Sequence, residues 1–355
     1  MKKVAIIGTQ GVPARYGGFE SLAENLIGDN GNGQIEYTIF CSGRDMPSKL
    51  ETYKGCRLKY IPLRANGVQS IPYDICSLIS SIRGYDTVLI LGVSGCIFLP
   101  FFRLFSRAKV VVNIDGLEHR RAKWGRVARW FLRTSESLAV RYADVVIADN
   151  RGIEDYVTET YNRPSVMIAY GGDHVVRQMD ESLQRSILSE YGVEKGKYAV
   201  SVCRIEPENN CHLTLEAALQ SQMPLIFIGN WQYSEYGRML YEKYNGAANI
   251  RLFNAIYDID VLYALRSSAA MYIHGHSAGG TNPSLVEAMF FDVPIVAYDV
   301  VYNRETTAGL IPYYANAEQL TDIMRNGTEL RAEVGEYARR HYTWQHIVEQ
   351  YIALY

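Results

Sequence analysis

The chain has 355 residues, of which 48% are apolar and 21% charged, so it is long enough for two globular domains and too apolar to be intrinsically disordered. A net charge of -2 excludes an overall electrostatic attraction to nucleic acid. The six cysteines are scattered with no Cys-x-x-Cys pair, which predicts reduced thiols and neither a disulfide framework nor a zinc site.

The apolar run at the N-terminus stops at Gly8, which predicts a buried first strand rather than a signal peptide. The uncharged, largely apolar stretch 87–102 contains Gly92, Gly95 and Pro100 and falls short of the roughly 20 apolar residues that span a bilayer. We therefore expect no transmembrane helix and a cytoplasmic protein.

Short runs rich in valine and isoleucine recur in two series, and each run precedes a turn or a helical pattern. The first series comprises 4–7, 37–40, 88–91, 110–113, 145–148 and 166–169, and the second comprises 198–202, 225–228, 250–253, 270–273 and 294–297. Runs that are apolar throughout predict parallel strands covered on both faces by helices. We expect two doubly wound α/β domains.

The predicted domains are residues 1–172 and 173–340, followed by a terminal helix in 341–355 that packs back on the first domain. Ligands of such sheets bind beyond the carboxyl ends of the strands, so two domains of this kind facing each other are expected to form one cleft. Candidate site residues should therefore follow strands.

The first such loop runs from Gly8 to Glu20 and includes Arg15, Tyr16, Gly17 and Gly18. Its glycines permit close approach to a phosphate or sugar, and a helix expected from Glu20 or Ser21 offers free N–H groups. An ordinary glycine-rich turn is the alternative. The Gly-x-Gly-x-x-Gly spacing of a dinucleotide-binding fold is absent.

The second loop, 114–121, follows the strand 110–113 and contains Asp115, Glu118 and His119. These are plausible acid–base or hydroxyl-binding groups, and Asp115 is alternatively a helix cap. The third loop, 203–210, contains Arg204, whose planar fork matches two oxygens of a diphosphate. A surface salt bridge of Arg204 to a nearby glutamate is the alternative.

The fourth loop, 274–282, leads into a helix that is predicted to open near Pro283. The N-terminus of that helix is expected to stabilise a diphosphate, and Glu287, about one turn later, to bind a nucleoside hydroxyl. If Glu287 had only a structural role, its carboxylate would need a hydrogen-bonding or ionic partner among these apolar residues, and the sequence does not show one.

The Gly17-Gly18 loop, Arg204-Ile205-x-Pro207-Glu208 and the stretch 280–289, in that order, resemble the GT-B retaining glycosyltransferases of family 4. The resemblance spans nearly the whole chain. The N-terminal segment 8–20 and the segment 279–285 more specifically resemble a bacterial rhamnosyltransferase-like branch of that family.

The resemblance implies a two-domain GT-B fold, retention of anomeric configuration and no metal or other cofactor. It implies catalytic roles for Asp115, Arg204 and Glu287, and donor binding by Gly17, Gly18, Arg204, Asn209, Gly280, Thr281, Asn282, Pro283, Ser284, Leu285 and Glu287. The acceptor-side candidates are Arg15, Tyr16, Glu118 and His119.

Three positions depart from the family pattern. Asn209 stands where a lysine is usual, Gly279 stands where the first of two glutamates is usual, and Asp115 replaces a histidine that commonly follows the fourth strand. The loss of the lysine removes one charge from diphosphate neutralisation, and the donor sugar stays open.

The implied reaction transfers a sugar, with L-rhamnose from dTDP-rhamnose as the first candidate, to a lipid-linked glycan acceptor of capsule, O-antigen or cell-wall synthesis. A nucleotide-sugar epimerase of the same architecture and a non-catalytic glycan-binding partner are the alternatives. A GT-A enzyme would need a metal-binding Asp-x-Asp motif, and Asp258 and Asp260 match that motif. Their position just before an apolar helical pattern favours helix capping instead.

Positive charge is concentrated in residues 103–141, which hold ten lysines or arginines against three acidic residues. Aromatic side chains are interleaved with the basic ones: Phe98, Phe101, Phe102, Phe105, Trp124, Trp130 and Phe131 among Arg103, Arg107, Arg121, Lys123, Arg126, Arg129 and Arg133. This mixture is typical of proteins at an anionic bilayer surface, and core aromatics beside a solvated basic helix are the alternative. We expect peripheral attachment to the inner face of the plasma membrane and no binding to nucleic acid.

Overall fold

The computed structural model describes residues 1–14, 17–28, 33–117, 119 and 125–355. The chain divides into two compact units: unit 1 comprises Met1–Tyr170 and Trp344–Tyr355, and unit 2 comprises Gly171–Thr343. The division after Tyr170 lies close to the predicted boundary after residue 172. Residues 341–343, which the sequence placed with the terminal helix, remain in unit 2.

Unit 1 contains an eight-stranded sheet in the order β3-β4-β2-β1-β5-β6-β7-β8. Neighbouring strands are parallel except for the short hairpin of β3 and β4. The strands are β1 Lys2–Ile7, β2 Ile35–Ser42, β3 Thr52–Tyr53, β4 Cys56–Ile61, β5 Thr87–Leu91, β6 Lys109–Asn113, β7 Val145–Ala148 and β8 Val166–Met167.

The helices of unit 1 alternate with these strands, and one more returns from the far end of the chain. They are α1 Gly18–Gly28, α2 Ser70–Ser80, α3 Leu99–Phe105, α4 Arg126–Tyr142, α5 Arg151–Tyr161 and, after all of unit 2, α14 Trp344–Ala353. Helix α14 packs beside α1 and adds Trp344, Ile347 and Tyr351 to the core of unit 1.

Unit 2 contains a six-stranded, fully parallel sheet in the order β11-β10-β9-β12-β13-β14. Its strands are β9 Ala199–Val202, β10 Leu225–Ile228, β11 Ile250–Phe253, β12 Met271–His274, β13 Ile295–Tyr298 and β14 Tyr313–Tyr314. Its helices are α6 Glu181–Glu190, α7 Cys211–Ser221, α8 Glu235–Tyr244, α9 Ile259–Ser267, α10 Pro283–Ala288, α11 Val301–Thr306, α12 Ala317–Asn326 and α13 Ala332–His341.

The burial of the central strands explains why their sequences are apolar throughout. Every residue of β5, β10 and β12 is buried, as expected for strands covered on both faces. Strand β4, which lies next to the edge strand β3, alternates between buried and exposed residues, because it is covered less completely. The prediction of two doubly wound parallel α/β domains is confirmed, and the six cysteines are free thiols.

Candidate functional site

Arg204 leaves the carboxyl end of β9 in unit 2, where the sequence placed it. Its side chain is exposed, and among the residues that the structure describes its guanidinium makes no hydrogen bond or ion pair. The alternative of a salt bridge to Glu206 or Glu208 is therefore not seen in this structure. An exposed, unpaired guanidinium at this edge is available to bind an anion.

The contacts of the Asn209 side chain differ from those expected of a donor-binding residue. Its side chain is 4% exposed, its Nδ2 donates to the Arg204 carbonyl at 2.7 Å, and its Oδ1 lies 2.8 Å from His276 Nδ1. Both ends of the amide are therefore occupied inside the protein. Asn209 holds the loop after β9 against the loop after β12 and is not placed to contact a donor itself.

Further contacts join these two loops. Ser277 donates both its N–H (2.8 Å) and its Oγ (2.9 Å) to the Glu208 carbonyl, and Asn210 Nδ2 donates to the Gly275 carbonyl at 2.9 Å. Gly275 lies against the Asn209 carbonyl so closely that a Cβ would collide with it. The loop that presents Arg204 is thus fixed to the one that leads to Glu287.

Helix α10 opens at Pro283 as predicted, with Asn282 as its N-cap. Asn282 Oδ1 accepts the N–H of Ser284 at 3.0 Å, and the Asn282 carbonyl accepts that of Leu285 at 3.0 Å. The amides of Ser284 and Leu285, predicted to bind the diphosphate, are therefore used within the loop in this structure. Gly280 and Thr281, just before the cap, are buried.

Glu287 lies on α10 with its side chain 19% exposed, and it has the partner that the sequence did not show. Arg266 of α9 donates from Nη1 to Glu287 Oε2 at 2.6 Å. The other oxygen, Oε1, is 3.7 Å from His174 Nε2. Burial lowers the pKa of His174 below its usual value although the charge of Glu287 opposes this, so the imidazole is neutral around pH 7.

In unit 1, Gly17 and Gly18 form the entry to α1, which begins at Gly18 rather than at Glu20 or Ser21. Gly17 has a φ of 118°, a conformation that favours glycine, and a side chain there would collide with the Glu20 carboxylate. Glu20 Oε1 accepts the Gln10 N–H at 2.8 Å. Arg15 and Tyr16 lie outside the described residues.

Asp115 follows β6 and adopts a left-handed φ of 59°, an uncommon conformation for a residue with a side chain. Its N–H donates to Asn113 Oδ1 at 3.0 Å, and its side chain is half-buried. Burial raises the pKa of Glu20, and the negative charge of Asp115 adds to that increase. The two carboxylates therefore lie near each other at the carboxyl edge of the sheet of unit 1.

His119 is held by a residue that the sequence analysis missed. Its Nδ1 lies 3.0 Å from Oε2 of the buried Glu136 on α4, and Glu136 Oε1 accepts the hydroxyls of Tyr156 and Tyr161 at 2.7 Å each. Burial raises the pKa of Glu136, but these hydrogen bonds outweigh it and lower the pKa below its usual value. The carboxylate thus fixes the orientation of the imidazole. Glu118 lies outside the described residues.

Asp258 is the N-cap of α9, because its carboxylate accepts the N–H groups of Asp260 (2.9 Å) and Val261 (3.1 Å). The prediction that this Asp-x-Asp motif caps a helix is confirmed. Among the described residues there is no group of three histidine, cysteine or acidic side chains with the geometry of a metal site.

Each of the two α/β units has a largely parallel sheet with polar side chains at its carboxyl edge, and this architecture matches solved structures of the GT-B fold. Sucrose-phosphate synthase from Thermosynechococcus elongatus shares this fold at 16% identity and a TM-score of 0.81, over 100% of this chain and 98% of its own. Anabaena HepE in complex with UDP-glucose is 14% identical, with a TM-score of 0.76 over 99% of this chain and 98% of its own.

A putative UDP-N-acetylglucosamine 2-epimerase from Listeria monocytogenes is also similar, at 12% identity and a TM-score of 0.62, over 99% of this chain and 95% of its own. No curated protein sequence matches the chain. Residues 1–173 match the model of a domain of unknown function, DUF1972, and residues 184–341 match that of the glycosyl transferases group 1. The chain therefore has the GT-B fold, and its residues 184–341, which lie in unit 2, match a glycosyl transferases group 1 domain.

Proposed function

We propose that the chain transfers a sugar from a nucleotide diphosphate donor to a growing glycan, with the donor bound by unit 2. The observation that carries this proposal is the exposed, unpaired Arg204 on a loop that is fixed to the one leading to Glu287, both within the matched group 1 domain. Such a site offers a cation for a diphosphate and an acceptor for a nucleoside hydroxyl.

Arg204 is assigned to the leaving diphosphate, where its positive charge stabilises the charge that develops in the transition state. Glu287 is assigned to the pentose of the nucleoside, and Asp115 to orientation of the acceptor hydroxyl. The resemblance to the family 4 enzymes supports retention of anomeric configuration and a reaction without metal.

The preferred donor candidate is dTDP-L-rhamnose, because the segment 279–285 resembles the rhamnosyltransferase-like branch. UDP-sugars come second, because the similar HepE structure contains UDP-glucose. A screen of dTDP-, UDP- and GDP-sugars tests the proposal by measuring release of nucleoside diphosphate with and without acceptor. Acceptor-dependent release is expected for a transferase, whereas an epimerase or a non-catalytic glycan-binding protein would not show it.

The acceptor proposed is a lipid-linked glycan, used at the inner face of the plasma membrane. Helices α3 and α4 pack against each other and carry large apolar side chains that are more than half exposed: Phe101, Leu104, Phe105, Val127 and Trp130. Exposed arginines accompany them: Arg107, Arg126, Arg129 and Arg133. We call these nine residues the basic–aromatic patch; its mixture of side chains supports binding to an anionic bilayer.

Two residues that the sequence analysis grouped with this region have structural roles instead. Phe102 is fully buried in the core. Arg103 donates from Nε and Nη2 to the Tyr142 carbonyl and forms an ion pair with Asp144 at 2.7 Å. Arg121, Lys123 and Trp124 lie outside the described residues. Among the described residues, no helix is long and apolar enough to cross a membrane.

A further inference from the structure

Arg266 is a charged side chain in an apolar part of unit 2. It is 4% exposed, and its guanidinium carbon lies 5.4 Å from the ring centre of Tyr272 and 4.8 Å from that of Phe291. A buried guanidinium that packs against two rings has little freedom to reorient. A buried charge of this kind is tolerated only when it is paired.

Two hydrogen bonds of the Arg266 guanidinium end on helix α10. Nη1 donates to Glu287 Oε2 at 2.6 Å, and Nη2 donates to the Ser284 carbonyl at 3.0 Å, whereas Nε has no partner among the described residues. The rigid fork therefore holds the first turn of α10 and the carboxylate of Glu287 at the same time.

The partly exposed side of the pair is Glu287. Its side chain is 19% exposed against 4% for Arg266, and only Oε2 is bound by the arginine. Oε1 lies beyond hydrogen-bond distance of His174, at 3.7 Å. A pair that served the core alone would be expected to bury both partners, whereas here one carboxylate oxygen is left able to accept a hydrogen bond.

We propose that Arg266 is a positioning residue of the donor site, which holds the Glu287 carboxylate so that Oε1 accepts a hydrogen bond from the pentose of the donor. The inference rests on the proposed function, since it assigns Glu287 to the nucleoside. It adds a residue that contacts no substrate and acts through Glu287.

A double-mutant cycle on nucleotide binding tests this coupling. UDP, dTDP and GDP are titrated calorimetrically into wild type, Arg266→Met, Glu287→Gln and the double variant. Each single substitution is expected to weaken binding of the nucleotide that wild type prefers about 10- to 100-fold. Because Arg266 acts through Glu287, the double variant should be no weaker than Glu287→Gln within about twofold. If the fold-losses of affinity in the two single variants multiply in the double variant, the proposal is overturned.

A second measurement separates positioning from a general effect on folding. The preferred nucleotide is compared with its analogue lacking the pentose hydroxyls, and the ratio of the two affinities is expected to be about 10 or more in wild type and close to 1 in Arg266→Met. Arg266→Lys keeps the charge with a single point of contact and should restore part of the ratio. An unchanged ratio in Arg266→Met would contradict the proposal.

The matched control is Arg325→Met, which removes another guanidinium that donates to a backbone carbonyl, that of Gln220 at 2.8 Å, from helix α12. This variant should keep the wild-type ratio. Loss of the ratio in the control would overturn the assignment to Arg266. Wild-type protein that binds none of the three nucleotides would instead overturn the proposed function, so the two failures are distinguishable.

Discussion

At the scale of single residues, the sequence singled out Glu287 as a candidate site residue but did not show the contact that orients its carboxylate. Arg266 precedes Glu287 by 21 positions, in a different helix, and no spacing rule joins them. The same holds for Glu136, which binds His119 across 17 positions. Sequence patterns locate residues at strand ends because a buried parallel strand is a continuous apolar run that stops where the strand ends, whereas side-chain partners depend on tertiary packing.

The Arg266 contact changes how Glu287 should be tested. Glu287→Ala would leave the buried Arg266 guanidinium without its carboxylate partner and destabilise the fold, whereas Glu287→Gln keeps an oxygen for Arg266. We expect Glu287→Gln to weaken donor binding by about 1.5–3 kcal/mol, because it replaces a hydrogen bond to a charged acceptor. Calorimetric titration measures the loss, and a melting curve checks the fold. Unchanged affinity would mean that Glu287 is purely structural.

Arg204 should affect turnover more than binding. Its guanidinium is exposed and unpaired among the described residues, and negative charge on the leaving diphosphate is greatest in the transition state. Arg204→Ala is expected to lower kcat at least 10-fold with a smaller change in donor affinity. Steady-state kinetics with the donor found in the screen provide the measurement, with Arg204→Lys as the conservative control. A higher KM with unchanged kcat would contradict this role.

At the scale of elements, the eleven predicted apolar runs all correspond to strands, because the interior of a parallel sheet demands apolar residues on both faces. The strands that escaped prediction are β3, β4 and β14, which are very short or half-exposed. The four candidate loops follow strands as predicted, but the sequence did not show the hydrogen bonds within and between them. Asn209 and Ser284 were predicted to face a ligand, and each is satisfied by a neighbouring loop atom instead.

Helix α14 provides a test at this scale. Tyr351 is fully buried in the core of unit 1, and its hydroxyl accepts a hydrogen bond from Asn113 Nδ2 at 2.9 Å. Tyr351→Phe would leave that buried amide without its partner, at a cost of about 1–3 kcal/mol in the free energy of unfolding. Chemical denaturation followed by circular dichroism measures it. Tyr257→Phe in unit 2, where the side chain is 67% exposed, is the control, and equal stability losses in the two variants would contradict the assignment.

At the scale of the whole molecule, unit 1 is discontinuous, since its last helix follows all of unit 2. Composition and length predicted two domains, and the helical spacing of Ile347, Tyr351 and Leu354 predicted the final helix. Where an amphipathic helix docks is a tertiary property without a local signal. Net charge is also misleading at this scale, because a chain with a charge of -2 carries the basic–aromatic patch.

That patch leads to the prediction of membrane attachment. Its apolar members are more than half exposed, so the alternative that the aromatics belong to the core holds for Phe102 but not for Phe101, Phe105 or Trp130. Each basic residue close to an anionic surface contributes about 1 kcal/mol, and this attraction weakens as salt rises. We therefore expect the protein to float with liposomes in proportion to their content of anionic lipid, and to be released by salt.

Charge reversal of three exposed arginines on α4, Arg126→Glu, Arg129→Glu and Arg133→Glu together, should abolish that flotation, because attraction to the anionic surface becomes repulsion. The matched control reverses the same number of exposed basic residues on unit 2, Arg185, Lys195 and Arg238, and should float as wild type does. Trp130→Ser should weaken binding while leaving its salt dependence in place, since it removes apolar contact and no charge. Equal recovery of the α4 variant and wild type in the soluble fraction, at every lipid composition, would contradict attachment through this patch.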